Sequence, residues 1–341
     1  MKMYDTKLLD SSEESIMLAA RLLKDGEVVG FPTETVYGLG ANAFDGSAVK
    51  KIFQAKGRPG DNPLIVHISG FEQLDGLVTE IPALAVKCAK AFWPGPLTMI
   101  MPKSDKIPDT TSGGLDTVGI RMPSDKTAGR LISACGFPLA APSANLSGSP
   151  SPTTAQHVFK DMNGRIPAII DGGFCGVGVE STVISFEGTD GIRLLRPGFV
   201  SPEDLREITE NVIIDKGVTE SLGADAKVRS PGMKYKHYAP KAEITIIDGD
   251  LEKFRNYAIK NGNTDTALMI FEKSDAEGID FPALCCGKTD EEQARNLFDV
   301  LRELDNIGVK QAFARCPSKS GVGLAVYNRL LRAAAFRVIK L

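Results

Sequence analysis

A short apolar run, Val28 to Phe31, passes directly into Pro32-Thr33-Glu34-Thr35-Val36-Tyr37-Gly38-Leu39-Gly40. The run reads as a buried strand, and the turn behind it gathers hydroxyls, a carboxylate and two glycines. A structural loop has little need of that much polar chemistry directly after a core strand. The segment therefore points to an α/β framework with a site at this strand end.

The rest of the first ~200 residues supports that framework, because helix and strand signals alternate. Ser11 and Glu14 make a capping box ahead of Ile16, Ala19, Ala20 and Leu23, with Gly26 as the stop. Strand-like runs follow at Val28–Phe31, Leu64–Ile68, Leu97–Met101, Val118–Arg121, Leu139–Ala141, Ala168–Asp171, Thr182–Phe186 and Ile192–Leu195. Helical patterns fall near Ser47–Gln54, Pro82–Phe92, Asp125–Cys135 and Thr154–Phe159, and Ser201-Pro202-Glu203-Asp204 opens another.

From about Ile213 to Lys241 periodicity is lost, and Lys227–Lys241 holds five Lys/Arg and no acid. Strand and helix alternation then resumes. Glu243–Asp248, Thr266–Phe271, Gln311–Cys316 and Phe336–Leu341 read as strands; Leu251–Ile259, Thr289–Leu304 and Leu324–Arg332 read as helices. This spacing predicts a small parallel, Rossmann-like sheet. At 341 residues the chain is too long for one typical core. The division expected is residues 1–210 as a catalytic domain, 211–241 as a linker and lid, and 242–341 as a second, smaller domain.

A net charge of −3 gives no overall reason to expect nucleic-acid binding. No apolar run approaches the ~20 residues that span a bilayer, and the N-terminus lacks a signal-peptide layout, so a cytoplasmic setting without membrane contact is expected. The six cysteines show no CxxC spacing and read as reduced thiols; three scattered histidines argue against a zinc site.

Lys56-Gly57-Arg58 sits between a helix and Pro59-Gly60-Asp61-Asn62-Pro63. Two cations flanking a glycine suit a triphosphate, Arg as a bidentate fork and Lys as a mobile point charge. Taken alone, the same loop reads as solvated surface. His67 lies inside a strand, where a lone histidine reads as a satisfied core residue. Arg121 ends its strand at a mouth where α/β folds place ligands. Pro142-Ser143-Ala144-Asn145 and the stretch to Ser151 form a hydroxyl-rich turn whose amides and hydroxyls can hold phosphate. Gly287-Lys288-Thr289 has the ending of a P-loop, but Pro282 stands where its first glycine is required. Gly173 to Gly178 does not fit GxGxxG. Ser143 has no nucleophile elbow, and no histidine follows it in triad order.

Together, the Phe31–Gly40 stretch, Lys56-Gly57-Arg58, Ser143-Ala144-Asn145 and Ser230-Pro231-Gly232-Met233-Lys234-Tyr235-Lys236-His237-Tyr238-Ala239-Pro240 resemble the L-threonylcarbamoyladenylate synthase family in its long form. The resemblance implies a YrdC-like twisted mixed-sheet catalytic domain, followed by the Rossmann-like one. It implies condensation of L-threonine, bicarbonate and ATP to L-threonylcarbamoyl-AMP and pyrophosphate, for the threonylcarbamoyl modification of tRNA adenosine. Lys56 and Arg58 would be the catalytic phosphate grip. Asn62, Thr117, Ser143, Asn145, Ser151, Arg196, His237 and Tyr238 would complete the ATP site. Thr35, His67, Arg121, Ala141 and Ser181 would hold threonine. Mg2+ would come with the ATP, without a protein metal cage, and the basic linker would close as a lid. A downstream threonylcarbamoyl transferase complex is an implied partner, while contact with tRNA is left open. Two alternatives stand beside this reading. One is carbamoyl-adenylate formation from carbamoyl phosphate, as in hydrogenase maturation proteins with a similar domain; the other is RNA binding without catalysis.

Overall fold

A computed structural model of the chain describes residues 3–60, 62–220 and 238–341. Its first domain is built on one mixed sheet of eleven strands. Across the sheet they run Lys7–Leu9, Ala168–Ile170, Val29–Phe31, Gly38–Asn42, Leu139–Ala141, Ile65–His67, Thr117–Arg121, Leu97–Pro102, Thr182–Glu187, Gly191–Arg196 and Val212–Ile214. The second domain carries five strands, ordered Ala283–Cys285, Thr266–Ile270, Gln311–Arg315, Glu243–Asp248 and Val338–Lys340. Every pairing in this sheet is parallel, the Rossmann-like arrangement expected from the repeat of strand and helix.

Residues 211 onward, expected as linker, open with a strand: Val212–Ile214 runs parallel to Ile192–Leu194 at the sheet edge. The first helix begins one residue later than its capping signal suggests. Ser12 is the N-cap of Glu13–Lys24, and Asp10 gathers the Ser12 and Ser15 hydroxyls.

Phe31 and Gly38 are direct antiparallel partners. A Cβ on Gly38 would come to 3.0 Å from the Phe31 ring, and one on Gly40 to 2.9 Å. Glycine at both places lets the ring lie flat over the neighbouring strand, which holds the polar turn between them against the core. Thr33 ties that turn together. The Thr33 hydroxyl donates to the Val36 carbonyl at 2.7 Å, and it accepts from the Thr35 and Val36 amides.

The domains share apolar contacts. Val36 and Val179, from the first domain, are buried in the same cluster as Phe298, Leu301 and Leu330 of the second. Two arginines of the second domain are buried against the first: Arg302 pairs with Asp161 at 2.8 Å, and Arg329 with Glu180 at 2.8 Å.

Candidate active site

One cleft of ≈ 790 Å³, its open mouth included, lies where the ends of these elements meet. Thr35, Lys56, Arg58, His67, Arg121, Ala141, Ser143, Asn145, Ser181, Arg196 and Tyr238 all line it. Segments from residue 35 to residue 238 thus converge on one hollow.

Lys56 is the last residue of the helix Gly46–Lys56, and not a loop residue as the sequence suggests. Gly57 takes the left-handed conformation at φ 61°, and the amides of Gly57 and Arg58 return to the Gln54 and Phe53 carbonyls. This closure of the helix sets the Lys56 and Arg58 side chains on either side of one glycine. The Lys56 ammonium donates to the Ser143 carbonyl and, at 2.6 Å, to the Asn145 carbonyl. Burial, followed by the like charge of Arg58, pushes its pKa well below the usual lysine value. Lys56 therefore braces the Ser143–Asn145 turn.

Arg121 and His67 are opposite partners on adjacent parallel strands. The Arg121 guanidinium donates to the Thr35 hydroxyl at 2.8 Å and lies 2.8 Å from a Glu34 carboxylate oxygen. His67 is buried, and its Nδ1 donates to the Ile65 carbonyl at 3.2 Å. Burial, assisted by Arg121, lowers its pKa to about 3, so the ring is neutral in ordinary buffers.

Arg196 donates to the Ser181 carbonyl and hydroxyl, both at 3.1 Å. The Ser181 hydroxyl also pairs with Thr98 at 2.8 Å. Burial and then Arg329 lower the Arg196 pKa to about 10.

Three of the expected nucleotide residues do not line the cleft. Thr117 begins the strand that Arg121 ends, and four residues of extended chain put them about 13 Å apart. Asn62 is buried behind Pro63, the residue of that loop that does line the hollow. Ser151 is buried too and reaches the cleft only through Glu180, to which it donates at 2.6 Å. His237 and the basic stretch from Lys227 to His237 lie outside the described residues.

Sequence reasoning missed Glu34, Glu180 and Arg329. Glu34 stood in the motif-rich turn, and Glu180 directly precedes Ser181, so position could have flagged both. Arg329 carries no such signal, since its partner lies 149 residues away.

Among the described residues no group of three or more His, Cys, Asp or Glu side chains could hold a metal ion. Glu180, the carboxylate that lines the cleft, is already engaged by Arg329 and Ser151. No described helix is long and apolar enough to cross a membrane.

The first domain matches a family model described as "Telomere recombination" (Sua5, YciO and YrdC) over residues 21–198. Residues 200–335 match "Threonylcarbamoyl-AMP synthase, C-terminal domain". The Threonylcarbamoyl-AMP synthase of Pyrococcus abyssi is 47% identical over 334 residues, covering 96% of either chain. The chain belongs to the threonylcarbamoyl-AMP synthase family, in its long two-domain form. The Bacillus subtilis Threonylcarbamoyl-AMP synthase is 45% identical across 98% of this chain and 97% of its own. The crystal structure of P. abyssi Sua5 complexed with L-threonine superposes with a TM-score of 0.91 at 44% identity, covering 98% of this chain and 100% of that one. As a threonylcarbamoyl-AMP synthase the chain is an enzyme of nucleotidyl transfer, and its fold is the mixed-sheet YrdC-like domain joined to the parallel one.

Proposed function

We propose that the cleft binds ATP and L-threonine together, and that bicarbonate joins them there. Threonine's carboxylate meets Arg121, with Thr35, His67, Ala141 and Ser181 around the rest of the amino acid. ATP lies along the other cleft residues, its phosphates against Arg58, Arg196 and the Ser143–Asn145 turn that Lys56 braces. The observation that carries this reading is that Arg58, Arg121 and Arg196 line one hollow together with a neutral His67 and the hydroxyl-rich Ser143–Asn145 turn.

The threonine amine and bicarbonate form an N-carboxylate with loss of water. One of its oxygens attacks the α-phosphorus of ATP, and the bond to pyrophosphate breaks. The carbamate is the nucleophile, so the site needs no activated serine or cysteine. It needs two anions held in line and the leaving charge neutralised, which positioned guanidiniums supply. We propose that Mg2+ arrives with the phosphates of ATP, which supply most of its ligands. Both the carbamate and the mixed anhydride react with water, which favours a closed site. The product then passes to a threonylcarbamoyl transferase that modifies tRNA adenosine, and a cytoplasmic setting provides ATP and free threonine.

Incubation with ATP, bicarbonate and single amino acids, followed by mass spectrometry, tests this reading. Threonine should give threonylcarbamoyl-AMP and stoichiometric pyrophosphate, and Arg58→Ala should lower both on the order of a hundredfold. Equal product from serine, or near-normal release by the variant, would overturn the respective assignment.

A further inference from the structure

The cleft is built from the first domain, yet one of its walls is held from the second. Arg329 lies in the helix Gly323–Ala333 and is fully buried. Its Nε donates to a Glu180 carboxylate oxygen at 2.8 Å, and its Nη2 to the Glu180 carbonyl at 3.3 Å. Nη1 donates to the Pro197 carbonyl at 2.8 Å, one residue from Arg196, and to Asn328 Oδ1 at 2.9 Å. The guanidinium also stands 6.0 Å from the Tyr238 ring, which packs against Phe298 of the second domain at 5.2 Å. Glu180, Arg196 and Tyr238 all line the cleft. A single side chain of the C-terminal domain therefore anchors Glu180 directly, holds the backbone next to Arg196, and adjoins Tyr238.

Glu180 gives this arrangement its chemical meaning. It is a carboxylate in the wall of a hollow that must admit polyphosphate, and without a counter-charge it would repel its ligand. Burial opposes its ionisation, but Arg329 and then Arg196 more than offset burial and hold its pKa at about 2. The carboxylate is thus charged and paired, with Ser151 and Arg329 occupying one oxygen each.

We infer that Arg329 is a positioning residue for nucleotide binding: it neutralises and anchors Glu180 from behind the wall, so that the C-terminal domain sets the cleft's affinity for the polyphosphate of ATP. This rests on the reading that the cleft takes ATP. Replacing Arg329 by Met leaves a buried carboxylate facing the phosphates, whereas replacing both partners by neutral residues removes the repulsion as well as the pair.

The test is steady-state kinetics on the full-length enzyme with three variants, each checked for a cooperative thermal transition. Arg329→Met should raise KM for ATP about tenfold or more, with KM for threonine and kcat within about threefold. The double variant Arg329→Met with Glu180→Gln should bring KM for ATP back to within about threefold of the parent. Asp299→Asn takes the charge out of the half-exposed 3.3 Å contact between Asp299 and His157 that also joins the domains, and it should leave KM for ATP unchanged. An unchanged KM for ATP in folded Arg329→Met would overturn the inference. So would a folded double variant that stays weak, or an Asp299→Asn variant that weakens ATP equally. Loss of folding in both Arg329 variants would make the pair purely structural and overturn it too. Failure of the underlying reading would look different, as a parent enzyme that makes no threonine-dependent adenylate.

Discussion

At the scale of single residues, burial decides which charges in the cleft persist. Arg121, on a strand end, is tied to Thr35 and Glu34, while His67 beside it is forced neutral. Replacing Arg121 by Lys keeps the charge but loses the fork that can meet a carboxylate side-on. We expect KM for threonine to rise at least tenfold and KM for ATP to move little; equal rises in both would remove Arg121 from the amino-acid side. His67 makes a prediction about acid stability. Its folded pKa of about 3 lies below the unfolded value of 6.5, so the unfolded chain takes up this proton first. The contribution is present above pH 6.5 and is lost as pH falls toward 3. Glu180, held at about 2 against an ordinary 4.5, adds its own loss only lower down. Urea melts between pH 6.5 and about 4.5 should therefore show falling stability that His67→Gln flattens, and an unflattened slope would contradict the neutral ring. Residues with a local chemical signature, such as Lys56-Gly57-Arg58, were readable in the sequence as parts of a site. What Lys56 touches was not, because its carbonyl partners lie 87 and 89 residues along the chain.

At the scale of elements, strands with a clear apolar run were legible to within a residue or two, among them Val29–Phe31, Thr117–Arg121 and Thr182–Glu187. Gly38–Asn42 was not, since Gly-Leu-Gly-Ala-Asn has neither alternation nor β-branched residues, and only its neighbour Phe31 makes it a strand. The edge strands Lys7–Leu9, Val212–Ile214 and Ala283–Cys285 were also missed, because they are largely exposed or half-buried and no buried apolar run sets them off. The loop that ends in Gly178 joins the domains in a way no pattern announces. Its φ is +79°, and a Cβ there would sit 2.4 Å from Arg295 Cα and 2.6 Å from the Ala294 carbonyl oxygen on the long helix Asp290–Ile307. Gly178→Ala combines a left-handed alanine with overpacking against backbone, at a cost of about 3 kcal/mol. Thermal unfolding should show a matching fall in Tm, and a variant as stable as the parent would mean that the loop can withdraw from the helix.

At the scale of the whole molecule, the second domain completes the first. A chain ended at residue 220 would bare Val36, Val177 and Val179, which pack into the second domain's core, and would leave Glu180 without Arg329. Each fully buried valine is worth about 1.5–3 kcal/mol, so the truncated protein should lose several kcal/mol and self-associate. Chemical denaturation and light scattering would check this; a monomer of undiminished stability would show that the shared core is dispensable. The first strand, Lys7–Leu9, pairs along its whole length with Ala168–Ile170. During synthesis that strand emerges from the ribosome early and must wait for a partner made some 160 residues later. A bare strand edge kept in suspense is a place for non-native pairing. This stretch of the nascent polypeptide is accordingly one that a translating cell has reason to guard with a chaperone.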